Sequence, residues 1–358
     1  MVRILCFFLL LAPLAQAAHL EVAAQFPDRQ VTGVTVSRTG RLFVSFPHWE
    51  EFKHLSVAEV LPGGVLKPFP LEWDQDGPGS AAAGVPSTNA FFCVQSVVCD
   101  DQDMLWILDT GSPGLAGVVP GQAKLVGVDL ATGRAKKVIV FSGEAAPPKS
   151  YINDVRIDTA RKVAYLSDSG LGGVLVVDLE KGGARRVLQD HPSTQPEEGF
   201  ALQVNGKVLR GPDGKSPRIA SDGIELSADK AMLYYHALTG RTLYSVPTAA
   251  LRDPALKPAE LAAQVRAVAD TGPVDGLGLG KDGRIYLSCL EDGVIRSVVP
   301  GEAVQEVCRD PRFLWPDTFA TGPDGSLYFT CSQVENMPRF NGGKSARTAP
   351  YAVFRLFP

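Results

Sequence analysis

Val274-Asp275-Gly276-Leu277-Gly278-Leu279-Gly280-Lys281-Asp282-Gly283-Arg284-Ile285-Tyr286-Leu287 decides how the chain of 358 residues is read. A short apolar run entered through Asp-Gly, a Lys-Asp-Gly turn and a second run carrying an aromatic together make a β-hairpin. The phrase recurs. With Asp275 as its first position, it aligns with Thr32 to Phe43, Gln95 to Trp106, Asn153 to Tyr165, Asp222 to Tyr234 and Asp317 to Tyr328. The aromatic follows the first position by eleven residues in four copies and by twelve in two, where the turn is one residue longer. Successive first positions are 63, 58, 69, 53 and 42 residues apart, room for four short strands per unit. Six such units predict an all-β, six-bladed β-propeller. Residues 20–26 and 351–356 read as strands at the two ends, one of them closing the ring by completing the last blade.

The chain opens with Met1-Val2-Arg3 and an apolar run from Ile4 to Leu11, then Ala15-Gln16-Ala17, the pattern of a secretory signal peptide over residues 1–18. The reading is an exported protein, periplasmic or extracellular, whose residues 19–358 form one propeller domain acting as a monomer. A net charge of −4 and a pI near 5.8, without runs of Lys or Arg, argue against nucleic-acid or membrane partners and for a small-molecule ligand. Five cysteines follow the signal segment. An odd count argues against a complete disulfide framework, Cys289 and Cys331 read as buried apolar side chains, and a Cys93–Cys99 bond requires the chain to turn between them.

Hairpin connectivity puts the first positions of all six units at one mouth of the central channel, together with the ends of the second strands. Thr32, Gln95, Asn153, Asp222, Asp275 and Asp317 ring that mouth, and His48, Asp109, Asp168, His236, Glu291, Ser332 and Gln333 surround it. Three readings stand for Asp222, Asp275 and Asp317: a metal site, a general base, or caps on the backbone at strand entry. Converging carboxylates repel unless a cation, a proton or a cationic substrate joins them, which favours a ligand site. Asp275, Asp317 and His236 are the candidate catalytic groups, and Asn153, Asp222, Asp109, Asp168 and Trp315 the candidate ligand contacts. Alternation sends either Asn153 or Asp154 into the channel, and alignment selects Asn153, leaving Asp154 to its own backbone or to Arg156. The repeated aromatics are packing residues between blades, whereas Trp49, Trp73, Phe313 and Trp315 are free to meet a ligand. The irregular stretch 190–221 is expected to cover one face, and 249–265 to hold the only helical turns. Motifs of serine hydrolases, zinc proteases, P-loop enzymes and C-x-x-C redox proteins are absent from the sequence.

Leu105-Trp106-Ile107-Leu108-Asp109-Thr110-Gly111, Tyr151-Ile152-Asn153-Asp154-Val155-Arg156, Ser167-Asp168-Ser169-Gly170, Trp315-Pro316-Asp317-Thr318-Phe319 and Met337 to Lys344 resemble the royal jelly protein and yellow family, whose bacterial members are described as related to dopachrome-converting proteins. That resemblance implies a secreted six-bladed propeller binding small, often aromatic or amine-bearing molecules, and in some relatives tautomerising dopachrome. The Asp-Gly hairpin starts also resemble the senescence-marker and gluconolactonase propellers. There a divalent cation is held by a Glu of the first blade, an Asn of the fourth and an Asp of the fifth, with a polar residue of the third near the substrate. The matching positions here are Thr32, Asp222, Asp275 and Asn153. This second resemblance implies a cation such as calcium at Asn153, Asp222 and Asp275, with Thr32 departing from the pattern. The readings carried forward are an isomerase, a metal-dependent lactone hydrolase and a binding module without turnover.

Overall fold

The computed structural model describes residues 19–50, 55–82 and 89–358, so residues 1–18, read from the sequence as a signal peptide, lie outside the described residues. Strands of three to eight residues dominate, and they gather into six antiparallel sheets of four strands, in a ring. Blade 1 comprises Val34–Val36, Leu42–Ser45, Val57–Leu61 and Val65–Pro68. Blade 2 comprises Val94–Cys99, Met104–Asp109, Lys124–Asp129 and Arg134–Val140. Blade 3 runs through Ile152–Asp158, Val163–Asp168, Val174–Asp178 and Ala184–Val187, and blade 4 through Ser221–Leu226, Met232–Ala237, Thr242–Pro247 and Arg266–Asp270. Blade 5 holds Val274–Leu279, Ile285–Cys289, Val294–Val298 and Gln305–Arg309. Blade 6 takes Pro316–Thr321, Leu327–Cys331 and Tyr351–Phe357 from the C-terminal region and His19–Phe26 as its outermost strand. Both terminal strands therefore belong to the last blade.

The repeated aromatics explain how the blades stack. Phe43 of blade 1 is buried among Val94, Val97 and Leu105 of blade 2, and Trp106 of blade 2 among Val155, Ala164 and Leu166 of blade 3. Tyr165 packs against Ile224 and Leu233, Tyr234 against Leu277 and Leu287, Tyr286 against Phe319 and Phe329, and Tyr328 against Val34 and Val44. One aromatic per blade thus fills each of the six seams, burying a large apolar face where two twisted sheets meet.

The connections depart from expectation in one respect. Helical turns occur at Thr248–Arg252 and Pro258–Ala262, within the stretch expected to hold them, but also at Gly77–Ala82, where the Asp76 carboxylate accepts from the Gly79 amide at 3.1 Å. On the face opposite the strand starts, turn residues cross-link the blades: Asp101 accepts from Lys230 at 2.9 Å and from Thr159 at 2.6 Å, and Arg38 bonds the Asp101 carbonyl at 3.1 Å. These bonds join blades 1 to 4 across the axis.

Candidate functional site

Five of the innermost strands carry an irregularity in register at their start, between residues 94 and 96, 152 and 155, 221 and 224, 274 and 277, and 316 and 319. A bulge of this kind re-aims a side chain at a sheet end, and here it turns Gln95, Asn153, Asp222, Asp275 and Asp317 toward one cavity. The glycines of the Asp-Gly pairs serve this arrangement. A Cβ on Gly223 would lie 2.1 Å from the Asp275 carbonyl oxygen, and one on Gly276 would lie 2.1 Å from that of Asp317. Neither glycine has a positive φ, so close approach of the next blade is the reason for it, and the pair is not a turn device. Hydroxyls clip the ring at the same level. Ser45 accepts from the Gly33 amide and donates to the Gln95 carbonyl, both at 3.1 Å. Ser167 links the Asp154 amide to the Asp222 carbonyl, and Thr330 links Thr318 to Thr32.

Asp222, Asp275 and Asp317 are all buried at the base of the cavity. Asp222 and Asp275 are hydrogen-bonded to each other, and Asp275 Oδ2 also accepts from the Trp315 indole N–H at 2.5 Å. Asp317 Oδ1 accepts from the Thr318 hydroxyl at 3.1 Å, and its carboxyl is also bonded by Ser332. Burial, then the charges of Asp275 and Asp317, hold the Asp222 carboxyl well above the usual range. Burial pushes Asp275 up to about 6, with the bonds from Trp315 and Asp222 pulling the other way. Asp317 is raised by burial and then by Asp275. Trp315 itself has φ 55°, a left-handed conformation that costs a non-glycine residue about 1 kcal/mol or more and that often marks a functional position.

The rest of the lining combines aromatic side chains with Lys149, Asp213, Lys215, Arg218 and Arg339. Trp49 Nε1 donates to the Tyr151 hydroxyl at 2.6 Å, and Tyr151 donates to Gln95 Oε1 at 2.8 Å. Segments 211–219 and 334–340 complete a cavity of about 860 Å³, contributing Met337 and Phe340 among others. The volume suits a molecule of small-metabolite size. Sequence reasoning did not single out Tyr151, Met337 or Phe340. Tyr151 stands two residues before Asn153, outside the repeat, and only its place in the resembling phrase Tyr151 to Arg156 marked it.

Other expected site residues lie elsewhere. Asp109 is fully buried against Lys124 at 3.0 Å and accepts from the Phe92, Cys93 and Gly111 amides at 2.7 to 2.9 Å. Asp168 is equally buried against Arg186 and caps Tyr151, Gly170 and Leu171. Both satisfy the framework at second-strand ends instead of facing the cavity. His236 is enclosed, with Nδ1 2.7 Å from the Ala237 carbonyl and Nε2 3.0 Å from Thr271 Oγ1, and burial lowers it to about 4. Trp73 stacks on Phe91 and Phe313 packs on Phe329, whereas Trp49 and Trp315 line the cavity. Cys93 precedes and Cys99 ends one extended strand, and both are free thiols, as are Cys289, Cys308 and Cys331.

The donor set implied for a divalent cation is not assembled. The Thr32 hydroxyl is turned to the Gln95 carbonyl at 3.2 Å, Asn153 Nδ2 donates to Ser169 at 3.1 Å, and an N–H donor occupies Asp275 Oδ2. Among the described residues no three His, Cys, Asp or Glu side chains are grouped to hold a metal ion.

The ring of six sheets around a carboxylate-floored cavity defines a six-bladed propeller with a candidate small-molecule site. Residues 92–329, well over half of the chain, match the family model described as major royal jelly protein, and the chain belongs to that family. No curated protein matches the sequence. Among solved structures, a gluconolactonase from Xanthomonas campestris is similar with a TM-score of 0.56 at 13% identity, over 95% of this chain and 89% of that one. A virginiamycin B lyase from Staphylococcus aureus is similar with a TM-score of 0.53 at 11% identity, over 95% and 99%. A luciferin-regenerating enzyme gives 0.53 at 10% identity, over 96% of each chain. At such identities these structures share the fold.

Proposed function

We propose that the protein binds a small aromatic or amine-bearing molecule at the channel mouth and that the Asp222–Asp275 pair exchanges a proton with an aromatic substrate, as an intramolecular isomerase of the dopachrome-converting type. The carrying observation is the buried, hydrogen-bonded Asp222–Asp275 pair beside Asp317, facing a cavity with aromatic walls. A cationic group supplies what three crowded carboxylates lack, and Trp49, Tyr151, Trp315 and Phe340 offer surface to a ring. In a tautomerisation the Asp275 carboxylate takes a ring-adjacent proton and the Asp222 carboxyl returns one to the conjugated oxygen, so no oxidant enters. An Asp275 value of about 6 suits a base working near neutral pH. We also read the protein as exported, to the periplasm or beyond the cell, from its N-terminal pattern.

Calorimetric titration with a phenethylamine and with its uncharged alcohol analogue tests the binding. Preference for the amine, abolished by Asp275→Asn, supports the reading, and equal binding of the two overturns it. Loss of dopachrome absorbance catalysed by wild type but not by Asp275→Asn supports the isomerase. Saturable binding without turnover replaces it with a binding module.

A further inference from the structure

Beneath the three carboxylates the channel holds a second, largely buried set of charges that the proposed chemistry does not use. Arg156 lies on the innermost strand of blade 3. Its Nη1 donates to both Asp154 oxygens at 2.9 Å and to the Val155 carbonyl at 2.8 Å. Its Nε donates to Glu225 of blade 4 at 3.0 Å, and its Nη2 to the Leu277 carbonyl of blade 5 at 2.8 Å. Asp154 accepts in addition from Ser96 of blade 2 at 2.8 Å, and Glu225 from the Leu226 and Leu279 amides. One planar fork therefore ties the inner strands of three blades, and through Asp154 a fourth.

A buried ion pair is weak evidence for stability, because desolvation offsets most of the attraction. Its position suggests another role. Asp154 follows Asn153 in the bulge, and its charge bears on Asp222, Asp275 and Asp317 alike. The groups about the pair are Asp317 and the Trp315 indole from blade 6 and Asp154 and the Tyr151 phenol from blade 3, while Lys149, Asp213, Lys215, Arg218 and Arg339 are the other charged groups lining the same cavity. Arg156 is the cation that counters Asp154, and Glu225 counters Arg156.

We propose that Arg156 is a positioning residue of the cavity: it fixes the Asp154 carboxylate and offsets its charge, and with Glu225 it sets how much negative charge the Asp222–Asp275 pair presents to a ligand at a given pH. The amine-affinity part of the test rests on the proposed function, whereas the ionisation of the pair is readable without ligand. The Trp315 indole N–H bonds Asp275 Oδ2, so its emission follows the charge on that carboxylate. Fluorescence is titrated against pH in wild type, with Trp315→Phe defining the signal that belongs to this residue.

Removing the cation leaves Asp154 unopposed, so Arg156→Met is expected to raise the midpoint by about one pH unit, the effect of one elementary charge several ångströms away at moderate dielectric. Glu225→Gln is expected to lower it. Arg156→Lys, which keeps the charge but loses the fork, is expected to fall between wild type and Arg156→Met. Midpoints that stay put, or that move in the same direction for Arg156→Met and Glu225→Gln, overturn the proposal. Should Arg156→Met not fold, as judged by circular dichroism, Glu225→Gln decides alone: a fall supports the role and an unchanged midpoint refutes it. If the midpoints move as stated while wild type binds no phenethylamine, the ligand reading falls and the role of Arg156 stands. If the amine binds and the midpoints do not move, the reverse holds.

Discussion

The two halves of the channel mouth are built on the same backbone and carry opposite chemistry. Blades 1 to 3 place Thr32, Gln95 and Asn153 at the ring position, and blades 4 to 6 place Asp222, Asp275 and Asp317 there. On the neutral half the polar side chains bond to the protein: Thr32 to a carbonyl, Gln95 to Tyr151, Asn153 to Ser169. On the acidic half the carboxylates meet one another and the indole of Trp315. The contrast with Asp109 and Asp168 is equally instructive, since those caps are satisfied by backbone amides and basic side chains. A carboxylate bonded to amides is doing a structural job, and one crowded against another carboxylate is poised for a proton or a cation.

The largest effect that would sharpen this comparison comes from the glycines of the acidic half. Gly276→Ala drives a methyl into the Asp317 carbonyl and is expected to cost about 3 kcal/mol in urea unfolding, whereas Ser96→Ala at the equivalent place in blade 2 removes one hydrogen bond, about 1 kcal/mol. Equal losses would mean that crowding is not confined to the acidic blades. Next, Asp275→Asn is expected to weaken phenethylamine binding by about 100-fold in calorimetry, and Asn153→Ala by only a few-fold. A comparable loss on both sides would break the assignment of the amine to blades 4 to 6.

The acidic half also predicts an unusual pH dependence. The Asp275 value in the folded protein, about 6, exceeds its unfolded value, so its contribution to stability is fully present below about pH 4 and is lost as pH rises through 6. His236, lowered to about 4, acts in the opposite sense, because the unfolded imidazole takes up a proton first as pH falls. Comparing wild type with Asp275→Asn cancels that background. The variant is expected to gain about 2 kcal/mol relative to wild type between pH 4 and pH 8 in denaturant titrations, so that the substitution that weakens binding gains stability against wild type as pH rises. A constant difference across that range would show that Asp275 is not the strained group. The smallest effect belongs to the neutral half: Tyr151→Phe breaks the chain from Trp49 to Gln95 and is expected to reduce amine affinity about fivefold, roughly 1 kcal/mol.

The six-unit repeat, the packing role of the repeated aromatics and the membership of the ring were legible in the sequence because each rests on spacing that recurs. The division between cavity-lining and framework aspartates was not. Asp109, Asp168 and Asp275 all stand at strand ends near one mouth, and only the amides and bases around the first two separate them. Alternation read blade 3 correctly: Asn153 lines the cavity, and Asp154 pairs with Arg156 and bonds the Val155 amide. What spacing did not reveal is the reach of Asp154 to Ser96 of blade 2. Met337 and Phe340 come from an irregular segment whose path over the mouth has no periodic trace.

The pairing of His19–Phe26 with Tyr351–Phe357 has a consequence for biosynthesis. The first strand of the propeller to leave the ribosome is mated only by one of the last, so its edge stays open while five blades form. Contacts of such long sequence separation slow the final step of folding and leave an aggregation-prone edge until it is complete. A chain permuted to begin at Pro27, with His19 joined to Phe357 by a short linker, would turn that closure into a local hairpin and should refold faster without altering the cavity.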